Sequence, residues 1–417
     1  MLPTKSTTIN HGFAALVKNR GFMLLWIGQL ISQLADKIFF VLMIALLKLY
    51  LPVNGEGEDG RFYLYMAFTV PAMLFGSAGG IIVDRVPKKL IMVGSDAVRG
   101  VLMLLIPLLP REFAILLFFT FSISTVTQFF APAEQAAIPL LVKKEGLMAA
   151  NALFSSTMMA ALIIGNAVAT PMLNWFESLN KGFGKELVVG CLYLLSALIM
   201  MPIHFREHKL NQETAPINPW AEFMLGLRYL KQNRLVWSAM LQIVTLYCVF
   251  AALIELAIGM AARLHLAPEE FSSFVAAAGV GMVIGASILG HFGHRLHHKP
   301  LPLIGFITMA LSLGLFIFID NQPLALGLCI FLGVGAAFVN VPMQTLIQQQ
   351  TPPEMHGKVF GFQNHAINIA LTAPLLITTK LVNAFGLSVV LLGMSVFVGA
   401  IGIWSWQNTR KVLQDVI

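Results

Sequence analysis

The sequence predicts an all-helical integral membrane protein with twelve transmembrane helices in two pseudo-symmetric six-helix bundles. Of its 417 residues, 57% are hydrophobic and only 11% are charged, whereas a soluble protein carries about 25% charged residues. Apolar segments long enough to cross a hydrocarbon core of roughly 30 Å recur along the whole chain. An internal repeat and a central polar connection divide these segments into two sets of six.

Polar breaks between the apolar segments define the spans. The predicted spans cover residues 22–48, 62–83, 89–109, 113–140, 150–173, 186–204, 236–260, 271–292, 300–319, 323–346, 357–382 and 386–407. Eighteen Lys and Arg residues fall in one set of loops and the termini, against seven on the other side. Since cytoplasmic loops carry the excess of Lys and Arg, we predict a multi-pass protein of the cell (inner) membrane with both termini cytoplasmic.

The longest connection separates an N-terminal bundle at 1–204 from a C-terminal bundle at 236–417. This linker, 205–235, contains the segment PWAEFMLGLRYLKQN, whose apolar residues recur at helical spacing. That spacing predicts an amphipathic helix at the membrane interface.

The two halves repeat each other at an offset near 210 residues. GGIIVDRVPKK (79–89) matches LGHFGHRLHHK (289–299) in its Gly and Arg positions, and Pro132 matches Pro342 at the same offset. KNRGFMLLW (18–26) is echoed by a segment at 232–240. Repeats of this size are typical of secondary transporters, which bind substrate between their halves.

These motifs resemble the major facilitator superfamily. GGIIVDRVPKK is similar to the family signature between helices 2 and 3, and the segments NRGFMLLWIGQLISQLADKIF, FFAPAEQAAIPLLVKKEGLMAANAL and TPPEMHGKVFG resemble its bacterial efflux branch. That branch includes macrolide-efflux and enterobactin-export proteins, and the bacterial lysophospholipid transporter is a close relative. The resemblance implies the major facilitator fold and proton-driven export, by antiport and alternating access, of an amphipathic small molecule. A lysophospholipid transporter or flippase is the alternative.

The chain departs from the family pattern at three places. In helix 1, Asp36 follows Ala35 instead of Gly, and Lys37 comes next. In helix 4, Glu134 stands where a basic residue is common. In helix 5, Asn166 follows the Gly of the antiporter signature, which weakens the case for strict antiport.

Asp36 and Lys37 lie well inside the first span, where a charge costs at least about 2.5–3.5 kcal/mol. Adjacent helical residues point about 100° apart and do not neutralise each other well. We therefore predict an ion pair of Lys37 with Glu134, which leaves Asp36 free to bind a proton. Glu255 of the seventh span joins these three as a candidate coupling residue. Two alternatives for Asp36 stay open: a structural pair and direct contact with substrate.

Polar stripes on four spans predict a shared wet cavity for the substrate. The candidate cavity residues are Gln29, Gln33, Gln128, Gln135, Asn340, Gln344, Asn364 and Asn368. Interhelical hydrogen bonding, worth about 0.6 kcal/mol per pair, is the alternative for each stripe taken alone.

The signature loop is predicted to be a gate, with a static topology anchor as the alternative. Its candidate residues are Gly80, Asp84, Arg85, Lys88 and Lys89. The Gly permits close approach of helices and the Asp can attract a helix N-terminus. Farther along, Asp96 and Arg99 are three residues apart on one helix and predict a structural ion pair.

The expected partners are the lipid bilayer, protons and a small amphipathic substrate or lysolipid. No cofactor, metal or nucleic acid is predicted, and we expect a monomer. The histidines at 291, 294, 297 and 298 have a spacing that can gather a metal, but they share a basic loop without a carboxylate, which favours a solvated loop. No metalloprotease, nucleophile-elbow or phosphate-loop motif indicates an enzyme. A non-transporting membrane receptor or assembly factor is the alternative from another class.

Overall fold

The computed structural model describes residues 13–50, 57–180, 182–205, 219–267, 270–296 and 300–414. The regular structure in these ranges is helical. Its α-helices are α1 (Phe13–Val17), α2 (Arg20–Tyr50), α3 (Gly57–Arg85), α4 (Lys88–Leu105), α5 (Phe113–Leu141), α6 (Leu147–Leu179), α7 (Gly184–Met200), α8 (Pro219–Gln232), α9 (Arg234–Arg263), α10 (Phe271–Leu296), α11 (Leu301–Leu315), α12 (Gln322–Gln350), α13 (His356–Phe385) and α14 (Leu387–Gln414).

Twelve of these helices, α2–α7 and α9–α14, correspond one to one with the predicted spans. Within the described ranges, eleven are long and apolar enough to cross a membrane, and α7 is shorter at 17 residues. Several helices extend past their apolar windows; α6 has 33 residues and is therefore about 50 Å long at 1.5 Å per residue. The predicted all-helical membrane fold is confirmed.

The two halves pack by the same pattern of neighbours. In the first half, α3 packs on α5, α4 on α5 and α7, and α2 on α6. In the second half, α10 packs on α12, α11 on α12 and α14, and α9 on α13. The halves meet where α3 contacts α13 and where α10 contacts α6. Each contact thus has its counterpart one repeat later, as expected for an offset near 210 residues.

One end of the molecule carries α8, the turn between α3 and α4 and the start of α13, and we call it the linker end. Helix α8 packs there on α3 and α13. The ring of Phe223 lies 4.8 Å from the ring of Phe362, and Gly226 leaves room for that same ring. Trp220 and Met224 are exposed. The predicted amphipathic helix therefore exists with one face docked on protein, and the linker residues 206–218 lie outside the described ranges.

Candidate functional site

A buried ionic cluster lies in the first half, where α2, α4, α5 and α7 meet. Its centre is Arg99 of α4, whose side chain has no exposed surface. The Nη1 atom donates to Asp36 Oδ1 of α2 at 2.9 Å, and the Nη2 atom pairs with Asp96 one turn earlier on α4. Because the guanidinium carries several donors in a planar fork, it serves two carboxylates from different helices.

Two hydroxyl groups of α7 complete the hydrogen bonding of these carboxylates. Tyr193 Oη donates to Asp36 Oδ1 at 2.7 Å, and Ser196 Oγ donates to Asp96 Oδ2 at 2.6 Å. Tyr193 and Ser196 are three residues apart, so they lie on the same face of the helix. Both side chains are fully buried. Helix α7 thus helps to fix the position of each acid.

Aromatic rings hold the guanidinium on its faces. The Arg99 Cζ atom lies 4.8 Å from the ring centre of Phe130 and 4.6 Å from that of Tyr193. A desolvated cation–π contact contributes about 2 kcal/mol. These rings come from α5 and α7, so Arg99 links four helices of the first half.

A third carboxylate belongs to Glu134, one turn after Phe130 on α5. Its side chain is 7% exposed and interacts electrostatically with Asp36, Asp96 and Arg99. Among the described residues, neither Glu134 Oε1 nor Arg99 Nε has a hydrogen-bond partner. Two carboxylates therefore bond to a single guanidinium, and a third, which interacts with it electrostatically, lacks a donor at one oxygen.

The predicted ion pair of Lys37 and Glu134 is wrong, because no ion pair joins them in the described part of the chain. The Lys37 stem instead lies against Gly165 of α6, where an added Cβ would come within 2.7 Å of Lys37 Cβ. Asp36, one residue earlier on the helix, turns toward Arg99. The cation nearest to Glu134 in this cluster thus comes from helix 3 of the predicted spans, not from helix 1.

The predicted pair of Asp96 and Arg99 is present, but it is not isolated. Asp36 shares the guanidinium and is 24% exposed, so it is not the free carboxylate that the sequence suggested. The structural alternative for Asp36 is therefore met in part, with a partner on α4. The three-residue spacing gave Arg99 a partner in Asp96, so the sequence did not indicate its second pair, with Asp36. In the sequence, the roles of Tyr193 and Ser196 were indicated only by the occurrence of two polar residues three positions apart in an apolar span.

Several predicted cavity residues bond to one another across the two halves. Asn364 Nδ2 and Asn368 Nδ2 of α13 donate to Gln128 Oε1 of α5, at 3.0 and 3.3 Å. Gln344 Nε2 of α12 donates to Gln135 Oε1 of α5 at 3.3 Å. In this conformation these amides bridge the two halves, as the interhelical alternative to a wet cavity expects.

The remaining candidates have separate surroundings. Asn340 Nδ2 of α12 donates to Ser155 Oγ of α6 at 3.0 Å, again across the halves. Gln29 is buried, and Gln33 is half-buried. Glu255 of α9 is also half-buried, and the described residues form neither an ion pair nor a hydrogen bond with it. The structure thus does not bring Glu255 into the ionic cluster.

The signature loop joins the halves through a second ionic group, which we call the ionic latch. The Asp84 carboxylate accepts hydrogen bonds from the backbone N–H groups of Gly357 at 2.5 Å and Lys358 at 3.0 Å. Lys358 Nζ lies 3.2 Å from Asp84 and 3.1 Å from Glu222 of α8. Arg85 pairs with the same Glu222. A carboxylate at the start of α13 interacts favourably with the unpaired N–H groups of a helix N-terminus.

One turn before Asp84, close contact between α3 and α13 supports this latch. A Cβ added to Gly80 would come within 2.8 Å of Gly361 Cα, so only glycine allows α3 and α13 to approach this closely. At the start of α4, Lys88 is buried and Lys89 is half-buried. The latch partners on α8 and α13 were not predicted, since sequence spacing does not relate residues more than 100 positions apart.

The sequence is similar to one family of membrane proteins and to bacterial proteins named for efflux or export. A family model described as "Major Facilitator Superfamily" matches residues 25–374. Macrolide efflux protein A of Streptococcus pyogenes is 26% identical over 394 residues, covering 88% of this chain and 90% of that protein. The putative bacilysin exporter BacE of Bacillus subtilis is 24% identical over 310 residues, covering 72% of this chain and 74% of that protein.

Solved structures show the same fold at low identity. The E. coli fucose:proton symporter FucP superposes with a TM-score of 0.69 at 14% identity, covering 93% of this chain and 98% of that one. A bacterial homologue of the iron transporter ferroportin, solved in the outward-facing state, superposes with a TM-score of 0.66 at 17% identity, covering 93% and 99%. The match over most of the sequence settles the family: the chain belongs to the Major Facilitator Superfamily of multi-pass membrane transporters, which are not enzymes.

Proposed function

We propose that this transporter exports an amphipathic small molecule across the cell (inner) membrane in exchange for protons, by alternating access between its two halves. The observation that carries the proposal is the buried cluster of Asp36, Asp96 and Glu134 around Arg99. Transport as such follows from the family, and the efflux relatives support export. Proton coupling, the class of cargo and the motion of the halves are the steps added here.

The charge balance of the cluster supports proton coupling. Three ionised carboxylates around one guanidinium would leave a net charge of −2 in a buried site. Uncompensated charge inside a membrane protein is costly, and acids that crowd together share protons instead. The cluster is therefore suited to bind and release at least one proton during turnover.

The contacts between the halves support alternating access. If the linker end is cytoplasmic, as the distribution of Lys and Arg indicates, then the ionic latch and the amide bonds from Gln128 and Gln135 close the cytoplasmic side. Opening toward the cytoplasm requires these bonds to break, and α3 and α13 would separate at Gly80. The conformation described here is then the outward-facing one, with both termini on the cytoplasmic side.

The polar groups between the halves support an amphipathic cargo. Gln128, Asn364 and Asn368 present neutral amides, which hydrogen-bond carbonyl and hydroxyl groups without selecting a charge. The names of the two relatives refer to two different cargoes, macrolides and bacilysin. A site that relies on amides and apolar contact fits this variety better than one built around a fixed ion pair.

The proposal is tested by proton movement in proteoliposomes that enclose a pH-sensitive dye. A macrolide antibiotic added to the wild-type protein should move protons, and Asp36→Asn should abolish that movement. Asp320→Asn is the matched control, because Asp320 pairs with Arg263 in an exposed ion pair. Full pH-dependent transport by the Asp36→Asn variant would exclude coupling through this cluster. Movement of a lysophospholipid without protons would support the lipid-transport alternative.

A further inference from the structure

The cluster contains three carboxylates, and the structure distinguishes them by their hydrogen bonds. We propose, resting on proton coupling as the function, that Glu134 holds a proton in the conformation described here and pairs with Arg99 once Asp36 becomes neutral. Proton uptake by Asp36 and proton release by Glu134 are then coupled, because the two carboxylates compete for one guanidinium, which keeps its own protons.

The first argument is the difference in hydrogen bonding between the acids. Asp36 Oδ1 accepts from Arg99 and from Tyr193, and Asp96 accepts from Arg99 and Ser196. Glu134 is 7% exposed, and its Oε1 has no donor among the described residues. A buried ionised carboxylate without donors is far more costly than a neutral acid. The proton of this cluster is therefore placed on Glu134.

The second argument is the charge that faces Glu134 from each neighbouring helix. Helix α4 presents Asp96 and Arg99, and α2 presents Asp36. Lys37, the charged residue that follows Asp36 on α2, has its stem against α6, and the other two charged residues of that helix lie at its ends. Two ionised acids thus already share the one nearby cation, and a third would be repelled by both.

The remaining helices that pack on α5 bring no cation to balance Glu134. Helix α12 has no charged residue, and the only one on α6 is Glu177, in the last turn. Helices α3 and α13 direct Asp84 and Lys358 at each other. His365 of α13 lies against Gly76 of α3. Arg99 is therefore the one cation in this part of the described structure that can neutralise an ionised Glu134.

The third argument is an unused donor. Arg99 Nε is buried and has no acceptor among the described residues, while the guanidinium face rests on Phe130, one turn before Glu134. Neutral Asp36 would also release the Nη1 hydrogen that it now accepts, while Nη1 keeps its hydrogen bond to Thr127 at 3.3 Å. Glu134 can then ionise and take up these donors while the guanidinium stays between its two rings.

The exchange has a direct route to the contacts between the halves. Gln135 follows Glu134 on α5, accepts from Gln344 through its side chain and accepts from Gln348 Nε2 through its backbone carbonyl at 3.4 Å. Movement of the Glu134 side chain toward Arg99 would act on the residue that bonds α5 to α12. The protonation state of the cluster is thus linked to closure of the linker end.

Infrared difference spectroscopy of the full chain in lipid nanodiscs tests the assignment without any substrate. The wild-type protein at neutral pH should show the C=O stretching band of a protonated carboxylic acid, and Glu134→Gln should remove it. Asp36→Asn imitates a protonated Asp36, so Glu134 should ionise and the band should be lost until the pH is lowered. Asp320→Asn should leave the band unchanged, and thermal unfolding of each variant verifies the fold.

Two results would overturn the inference. A band that persists in Glu134→Gln, or is absent from the wild-type protein, places the proton elsewhere. A band that Asp36→Asn leaves unchanged rules out the exchange at Arg99. Because the spectrum needs no substrate, these failures are distinct from a failure of the proposed function, which would appear as an absence of proton movement in proteoliposomes.

Discussion

The two copies of the repeated signature, at 79–89 and 289–299, close the linker end by different chemistry. In the first copy, Gly80 lies against the backbone of α13 and Asp84 binds the N-terminus of that helix. In the second copy, Gly290 lies against the ring of Phe13 from α1, and Gly293 lies against Met148 of α6. The first contact is ionic, whereas the contacts described at the two glycines of the second copy are apolar.

Both members of the ionic pair differ in the second copy. Asp84 corresponds to His294 at the offset of 210 residues, and Lys358, which pairs with Asp84, corresponds to Met148. The loss of the acid is thus matched by the loss of its cation. Gly80 and Gly290 occupy the same place in the two copies, and both lie in close contact with another element. In the described contacts, the same motif therefore packs on a helix backbone and an ionic pair in one copy and on apolar side chains in the other.

The largest effect should come from breaking the ionic closure with Asp84→Ala. This change leaves two buried N–H groups without their acceptor and leaves Lys358 with Glu222 as its remaining carboxylate, and hydrogen bonds to a charged group contribute about 1.5–3 kcal/mol each. The closed linker end should lose population at least about tenfold. The measurement is the distance between spin labels at Glu112 and Phe318, which are exposed at the opposite end of the two halves.

Two controls make this measurement specific to the latch. The three native cysteines are first replaced, so that only the two introduced sites carry labels. Asp320→Ala removes a carboxylate from an exposed ion pair with Arg263 and should leave the distance distribution unchanged. An Asp84→Ala distribution equal to that of the wild-type protein would show that the loop is a static anchor.

An intermediate effect should come from filling the apolar closure with Gly290→Ala. The added Cβ would overlap the Phe13 ring, and overpacking typically costs about 1–3 kcal/mol. We expect the low end of this range, because Phe13 belongs to the five-residue helix α1, which can shift. The closed population should change about fivefold, and Phe13→Ala in the same protein should restore it.

The same labelled pair reports this outcome. Gly94→Ala is the matched control, since nothing lies within 4 Å of a Cβ added there. If the effects of Gly290→Ala and Phe13→Ala are simply additive, α1 does not close the second copy. The apolar contact proposed for that copy would then be wrong.

The sequence was sufficient to predict the helices because hydropathy responds to the solvent around a segment, which is a local property. It also predicted that Asp36 and Lys37 point in different directions, since that follows from helix geometry. It was insufficient to predict their partners. Arg99 had a local partner in Asp96, so nothing in the spacing indicated that its remaining donors reach Asp36 on another helix. The predicted Lys37–Glu134 pair was wrong for the same reason: the spacing along one helix does not identify a partner on another helix.

The ionic latch was likewise predicted only in part. Asp84 and Gly80 belong to a recognisable motif, whereas Glu222 lies in a linker helix whose apolar residues dominated its interpretation. The amides at Gln128 and Asn364 were found by their periodicity. Their bond across the halves depends on the conformation of the whole molecule, and the pattern of one helix contains no information on that.

The smallest effect should come from Glu222, which joins α8 to the latch. The hydrogen bond from Arg85 lowers the pKa of the Glu222 carboxyl below its ordinary value, and Lys358 contributes in the same direction. A lowered pKa means that the contact is intact above the ordinary carboxyl pKa and is lost as the pH falls through the lowered value. Glu222→Gln should remove this dependence, and exposed pairs of this kind contribute about 0.2–1 kcal/mol.

The closed population of both proteins is measured from neutral pH down to about pH 3, below the ordinary carboxyl value. The wild-type population should fall more steeply with acid than that of Glu222→Gln, by less than about fivefold. Glu354→Gln is the control, because Glu354 is exposed near the same end and has no ion pair among the described residues. Since Asp84 is unchanged in all three proteins, parallel curves for wild type and Glu222→Gln would exclude α8 from the latch. They would leave closure to α3 and α13 alone.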